Sequence, residues 1–270
     1  MARRRVDGQT GVVTNTAPPT IAFGEMMRGW RRRRGLSQLD LALAARVSAR
    51  HVSFIETGRS APSRAMVLRL ATALGVPQRD RNRLLVAAGL APAYAERALD
   101  APDMAAVRDG MQMVLTAYHP YPCVVLDRTW RIVQANPGVA VLLDGVAAHL
   151  LDEPNALRLT LHPDGLAPRI RNLAQWRTHL VERVRREVAW SGSAELDRLL
   201  SEIESYPGGF EEAPDLGGVA VPLELEMCDG RLLRFLSMVT TFGTALDLTA
   251  AELSIEAFLP ADESTAKALR

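Results

Sequence analysis

The sequence predicts two dissimilar folded parts, an all-α domain of five short helices over residues 21–90 and an α+β domain over residues 107–270. Three observations predict this. Between Ile21 and Leu90, capping serines and helix-stopping glycines recur at short intervals. Beyond residue 106, short β-prone runs flank turn signals instead. Charge divides at nearly the same place: residues 1–91 hold 16 Arg or Lys against 5 Asp or Glu, whereas residues 92–270 hold 16 against 26. A basic part attracts a polyanion and an acidic part is repelled by one, so the partner expected of the first part is nucleic acid. Lys267 is the only lysine. The preference for arginine is therefore chain-wide and carries no information about base recognition.

Residues 1–20, with Arg3, Arg4, Arg5 and Pro18-Pro19, read as a flexible basic arm. The first helix is expected over residues 22–34, with Phe23, Met27 and Trp30 near one face and Gly35 at its end. Ser37 is a good N-cap for a second helix carrying Leu41, Ala44 and Ala45 inward. Ser48 caps a third, short helix with Val52 and Ile55 inward, stopped by Gly58. A fourth follows Pro62-Ser63 and carries Val67, Leu70 and Leu74, and a fifth covers residues 78–88. Five helices in so short a stretch enclose a small core that needs short loops and close packing.

Residues 91–106 read as a linker rich in Pro and Ala. A helix is expected over residues 103–117, then two strands at 123–126 and 130–133 around Asp127-Arg128-Thr129. Helices are expected at 138–150, 172–190 and 194–205, and a second hairpin, 221–228 with 232–240, turns at Asp229-Gly230. Residues 249–258 read as a closing helix. A sheet with helices packed beside it follows.

Several function classes are disfavoured. The chain has neither a secretory signal pattern nor an apolar run of about 18 residues, so the cytoplasm is the expected location. Cys123 and Cys228 lack metal or redox spacing and sit in apolar runs, so both are expected to be reduced core residues. There is no His-Glu-x-x-His zinc helix, nucleophile elbow or phosphate loop, and His119, His149, His162 and His179 are scattered. Neither catalysis, a metal nor a cofactor is expected.

The stretch Gly35-Leu36-Ser37-Gln38-Leu39-Asp40-Leu41-Ala42, followed by Val47-Ser48, Ile55-Glu56-Thr57-Gly58 and Pro62, resembles the lambda-repressor-like helix-turn-helix regulators called the XRE family. The resemblance implies double-stranded DNA as partner, a homodimer, and a role for each matching residue. Gln38 grips a phosphate, and Ser48 caps the recognition helix and touches the backbone. Arg50 enters the major groove, where its forked donors suit a guanine edge. Ala49, Ser53 and Phe54 match the other outward positions, and His51 a phosphate contact. Arg31 and Glu56 match an ion pair that holds the fold. Read without the family, Arg50 and Gln38 are also compatible with solvated surface positions.

A second resemblance covers residues 107–270. Val124-Val125-Leu126-Asp127-Arg128, Asn155-Ala156-Leu157-Arg158-Leu159, Leu161-His162-Pro163-Asp164-Gly165-Leu166, Asn172-Leu173-Ala174-Gln175-Trp176-Arg177 and Thr241-Phe242-Gly243-Thr244 look like the ligand-binding domain of MmyB-like regulators, which is PAS-like in fold. It implies a cavity for a small apolar or amphipathic effector, such as a fatty acid-like or aromatic metabolite. Tyr118, Tyr121, Trp130, Trp176, Phe235, Met238 and Phe242 offer apolar surface for such a pocket, though the same residues would fill an ordinary core. His162, Asn172, Arg177 and His179 are candidates to fix a head group. The alternative role of this domain is dimerisation or partner recruitment alone.

Overall fold

Capping chemistry sets the first set of helices. In the computed structural model, which describes residues 19–210 and 220–270, the chain divides into one unit ending at Ala93 and a second over Tyr94–Arg270. The basic arm with Arg3, Arg4 and Arg5 lies outside the described residues. The first unit holds α1 (Pro19–Arg33), α2 (Gln38–Ala45), α3 (Ala49–Glu56), α4 (Arg64–Ala73) and α5 (Gln78–Ala87). α1 starts earlier than expected, at Pro19, a residue well suited to the first helical turn. Ser37 accepts the Asp40 N–H while the Asp40 carboxylate accepts the Ser37 N–H at 2.8 Å, a reciprocal capping box. Ser48 and Ser63 cap α3 and α4 one way, their side chains accepting the N–H groups of His51 and Met66. Phe23, Met27, Leu41, Val52, Ile55, Val67, Leu70 and Leu84 form the core. Ala44 was expected inward but is exposed; the buried arc of α2 runs through Leu41, Ala42 and Ala45.

The second unit is α+β. It comprises α6 (Ala105–Tyr118), β1 (Cys123–Leu126), β2 (Ile132–Ala135), α7 (Ala140–Leu143), α8 (Ala156–Leu161), α9 (Leu173–Ser191), α10 (Ala194–Ser205), β3 (Leu223–Glu226), β4 (Leu232–Thr241), α11 (Leu248–Ala251), β5 (Ser254–Pro260) and α12 (Glu263–Ala268). Its five strands form one antiparallel sheet in the order β2-β1-β5-β4-β3. Strand alternation gives the sheet two apolar faces. One face carries Val124, Leu126, Leu223, Leu225 and Phe235 into the main core with α8, α9 and α10. The other carries Cys123, Val125, Ile255 and Ala257, packed against Met111 and Leu115 of α6. This is the PAS-like shape expected.

Four local readings need correction. The closing helix expected at 249–258 is instead the short α11 followed by β5, the central strand of the sheet. Ala251, Glu252, Leu253 and Glu256 favour a helix locally, but β5 exchanges hydrogen bonds with β1 on one side and β4 on the other, and tertiary pairing overrides propensity. The second strand of the first hairpin starts at Ile132, not at Trp130. Trp130 has φ +65° and turns its ring into the core, while the Asp127 carboxylate gathers the N–H groups of Thr129 and Arg131 at 2.8 and 3.1 Å. The helix expected at 138–150 shrinks to α7 between short turns, and α8 was not anticipated. Cys228 is exposed, because it stands at the mouth of the Asp229-Gly230 turn; only Cys123 is buried.

The stretch read as a linker is divided. Ala91 and Pro92 carbonyls accept from Arg64 in the first unit, whereas Ala95 and Arg97 are bonded to the segment around α11 in the second.

Gly24 shows how closely α1 crosses the end of α3. A Cβ there would lie 2.7 Å from the carbonyl oxygens of both Ile55 and Glu56. Gly24→Ala is therefore expected to destabilise the first unit by about 1–3 kcal/mol through overpacking. Faster hydrogen exchange of the α3 amides would register it; unchanged exchange would refute it.

Candidate functional site

α3 is fixed by a buried carboxylate at its last residue. The Glu56 side chain is fully buried. Its two oxygens accept from Arg31 Nε at 2.6 Å and Nη2 at 2.9 Å, a bidentate fork from α1. Gln38, at the start of α2, donates from Nε2 to the same carboxylate at 2.9 Å, and Arg28 Nε stands 3.5 Å away. One residue of α3 thus ties together the first three helices. Burial pushes the Glu56 carboxyl up, but the hydrogen bonds from Arg31 and Gln38 and the charges of Arg31 and Arg28 outweigh it and hold the group below its ordinary range. The Gln38 amide spends one N–H on this node; its second donor remains for an outside acceptor.

With Val52 and Ile55 facing the core, the opposite side of α3 is available. Arg50 is exposed at the first turn, and Ala49, His51, Ser53 and Phe54 are half-buried around it. The Arg50 guanidinium lies 5.1 Å from the Phe54 ring centre and that of Arg59 5.9 Å, so Phe54 is a platform beneath two cations rather than a core residue. Arg59 was not singled out from the sequence; its place one residue after the stop Gly58 was the available signal.

The second unit encloses an apolar cavity between the inner sheet face and the helices. β1, α7, α8 and α9 line it through Leu126, Leu142, Leu157 and Leu180, with Trp130 and Trp176 beside them. Its volume is about 50 Å³. That is well below the roughly 150 Å³ of an engineered apolar cavity that admits benzene. A carboxylate, Glu256 of β5, also lines it and is 4% exposed. Ser237 Oγ donates to Glu256, and Arg183 Nη1 stands 3.3 Å from it. The Arg183 guanidinium in turn covers the Trp130 ring at 4.3 Å, and Trp130 Nε1 donates to Glu187 at 2.8 Å. The Trp176 indole N–H is buried without a partner.

Of the ligand residues suggested by the sequence, the cavity brings together only Trp130 and Trp176. Phe235 is fully buried and meets the lining Phe258 edge-on at 6.5 Å. Tyr118 and Phe242 pack on the opposite sheet face, where Met238, paired with Ala257, is half exposed. Tyr121 offers its carbonyl to Asn136. Arg177 is no head-group ligand: its buried guanidinium caps the end of α10 through the carbonyls of Ile203, Glu204 and Tyr206. Asn172 bridges Pro222 and Glu224, holding β3 beside α9. His179 tilts over Trp176 at 5.7 Å, and burial, then Arg183 and Arg186, lower its pKa. His162 accepts the Asp164 N–H, and it meets His149 and Asp164 within 4.8 Å, so these histidines are less scattered than the sequence suggests. Glu256, its partner Arg183 and the lining Thr160 of α8 were missed. An isolated acid inside the apolar run Ile255–Leu259 was the only sequence signal for the first of them.

Among the described residues, no helix is long and apolar enough to cross a membrane. Residues 107–270 match the family model of the MmyB-like transcription regulator ligand binding domain, and residues 22–84 match a helix-turn-helix domain. Among solved structures, the clp gene regulator ClgR from C. glutamicum is 28% identical, over 27% of this chain and 92% of its own, with a TM-score of 0.25. The restriction-modification controller protein C.AhdI from Aeromonas hydrophila is 34% identical, over 23% of this chain and 94% of its own, with a TM-score of 0.22. An RNA-binding Light-Oxygen-Voltage receptor is 14% identical, over 92% of this chain and 60% of its own, with a TM-score of 0.30. No curated protein sequence matches the chain.

The Glu56 node yields two measurable consequences. Arg31→Met leaves a buried carboxylate with weaker partners and is expected to cost the first unit about 3 kcal/mol. Because the folded-state pKa of Glu56 is depressed, its stabilisation is complete above the ordinary glutamate value near 4.5 and is lost as pH falls through the lowered value. Acid unfolding of the α3 amides, followed by hydrogen exchange, should flatten in that window in Glu56→Gln. An identical acid slope in both proteins would contradict the assignment.

Proposed function

Because the chain belongs to the MmyB-like transcription regulators and carries a helix-turn-helix domain, we propose that it is a sequence-specific DNA-binding regulator whose second unit senses a small apolar or amphipathic ligand. The observation that carries the first half is α3: a capped helix anchored at its far end by Glu56, with Arg50 exposed at its near end. Arg50 reads a base edge, Ser53 and Phe54 contribute along the groove, and Ser48, His51 and Gln38 reach phosphates. A homodimer in the cytoplasm presents two such helices to a two-fold operator. The apolar cavity supports the second half.

A route for coupling is present within the second unit. The cavity-lining Glu256 lies on β5, and the segment before β5 grips residues that follow Ala93. Leu248 N–H donates to the Ala95 carbonyl at 2.8 Å, Arg97 pairs with Asp247 at 3.0 Å, and Thr249 Oγ1 donates to the Arg97 carbonyl at 2.6 Å. A second reading, in which this unit only dimerises, is favoured by Leu236 and Met238, apolar and exposed on β4.

Arg50→Ala is expected to weaken binding to the best duplex selected from a random pool by about 1–3 kcal/mol and to relax preference at one base position. Fluorescence anisotropy at fixed salt measures it; an unchanged affinity refutes the DNA-reading assignment. For sensing, the duplex affinity is compared with and without saturating ligand. Equal values refute it, and in Asp247→Asn the ligand-dependent difference should shrink while ligand affinity stays within about twofold.

A further inference from the structure

Two imidazoles and a carboxylate converge where the chain leaves α8. We propose that His149, His162 and Asp164 bind a divalent transition cation of the zinc class through three protein ligands, with solvent at the remaining position. Among the described residues, these three form the one group of His, Cys, Asp or Glu side chains whose ligand atoms all lie within 4.8 Å of one another. Asp164 Oδ2 is the shared corner, 3.9 Å from His149 Nε2 and 3.9 Å from His162 Nδ1. Neighbouring ligand atoms around a tetrahedral zinc ion lie about 3.4 Å apart. Closing the difference takes small rotations of the His149 and Asp164 side chains, both of which are exposed.

The main chain has already brought the two segments together. His149 and His162 stand far apart in sequence, but the Ala147 N–H donates to the Asp164 carbonyl at 3.0 Å. The turn after α8 is tight: the Gly165 N–H donates to the His162 carbonyl at 2.9 Å and the Leu166 N–H to the Leu159 carbonyl at 2.8 Å. A Cβ on Gly165 would collide with that Leu159 carbonyl. The His162 ring is half-buried and stands edge-on to Tyr206 at 5.1 Å. Its Nδ1 accepts the Asp164 N–H at 3.0 Å, so this nitrogen presents a lone pair and not a proton. That is the form a metal requires, and the N–H it displaces belongs to an exposed residue and turns to water. Two imidazoles with one carboxylate favour zinc, nickel or copper over magnesium and calcium, which prefer oxygen ligands throughout. The ion links the turn beyond α7 to the end of α8, and these helices supply Leu142, Leu157 and Leu159 to the cavity wall.

The test is calorimetric titration of zinc chloride into the full chain after removal of metals with a chelator. Wild type is expected to hold a zinc ion that His149→Gln, His162→Gln and Asp164→Asn each weaken by at least about tenfold, since even residues that only orient a ligand cost about 10–100-fold. His119→Gln, at an exposed histidine outside the cluster, should stay within about twofold of wild type. Magnesium and calcium should fail to displace the zinc. Zinc is also expected to slow hydrogen exchange at the Ala147 and Leu166 amides of wild type but not of His149→Gln. His149 lies at the surface, so its variant keeps the fold and decides the matter. An unchanged zinc affinity in His149→Gln overturns the site, and so does a wild-type chain that takes up no zinc or releases it to magnesium. Equal protection of those amides by zinc in both proteins overturns it as well.

Discussion

Everything proposed for the first unit depends on one buried carboxylate. α3 has eight residues, too few to hold a fixed attitude by its own hydrogen bonds, and its inner face offers only Val52 and Ile55 as large apolar anchors. Glu56 adds the remaining constraint. Ionised and fully enclosed, it would be prohibitively costly without the Arg31 fork, the Gln38 amide and the nearby Arg28. These donors come from different helices, so charge neutralisation at one point also sets the relative placement of α1, α2 and α3. Gly24 completes the arrangement from the other side, since only a residue without a Cβ lets α1 approach the last carbonyls of α3. A helix so constrained would meet a partner with little ordering left to do.

The sequence was most legible where local chemistry decides structure. Ser37, Ser48, Ser63, Gly35, Gly58 and Gly75 punctuate the first unit, and each cap or stop can be read directly from residue type. In the second unit, decisions are non-local and reading failed accordingly. β5 is central because it pairs on both sides, a fact invisible in a run containing Ala, Glu and Leu. Trp130 looks like a strand residue until the Asp127 turn rotates it inward with a positive φ. The same limit governed the ligand residues. Trp130 and Trp176 were found by size, but Arg177 and Asn172 are polar residues whose partners are main-chain groups of other elements. Glu256 was overlooked because an acid inside an apolar run reads as a helix's solvent face until the strand is placed.

The two units use buried acids in opposite ways. Glu56 has donors from three residues and belongs to a closed structural node. Glu256 has two partners and faces a cavity, so part of its capacity is uncommitted. Trp176 of α9, whose buried indole N–H is unmatched, also lines the cavity. A core built only for packing would ordinarily replace such groups with apolar ones of similar volume, since half-satisfied polar groups are worse than none.

The position of that cavity also bounds how a ligand can act. It lies on the inner face of the sheet, whereas α6 packs on the outer face, so under the sensing reading the strands themselves separate the cavity from α6. Two strands bridge the faces by alternation: β5 contributes Glu256 and Phe258 to the cavity and presents Ile255 and Ala257 to α6, and β1 contributes Val124 and Leu126 to the cavity and presents Cys123 and Val125 to α6. Alternation along one strand means that a displacement on one side is felt on the other without any intervening mobile loop. The residues just before β5 then hold Ala95 and Arg97 through backbone and side-chain bonds. A cavity of about 50 Å³ must be enlarged by any effector, so some of the apolar burial energy is converted into strain at these walls. Under the sensing reading, only the part of that strain that differs between DNA-competent and incompetent states regulates.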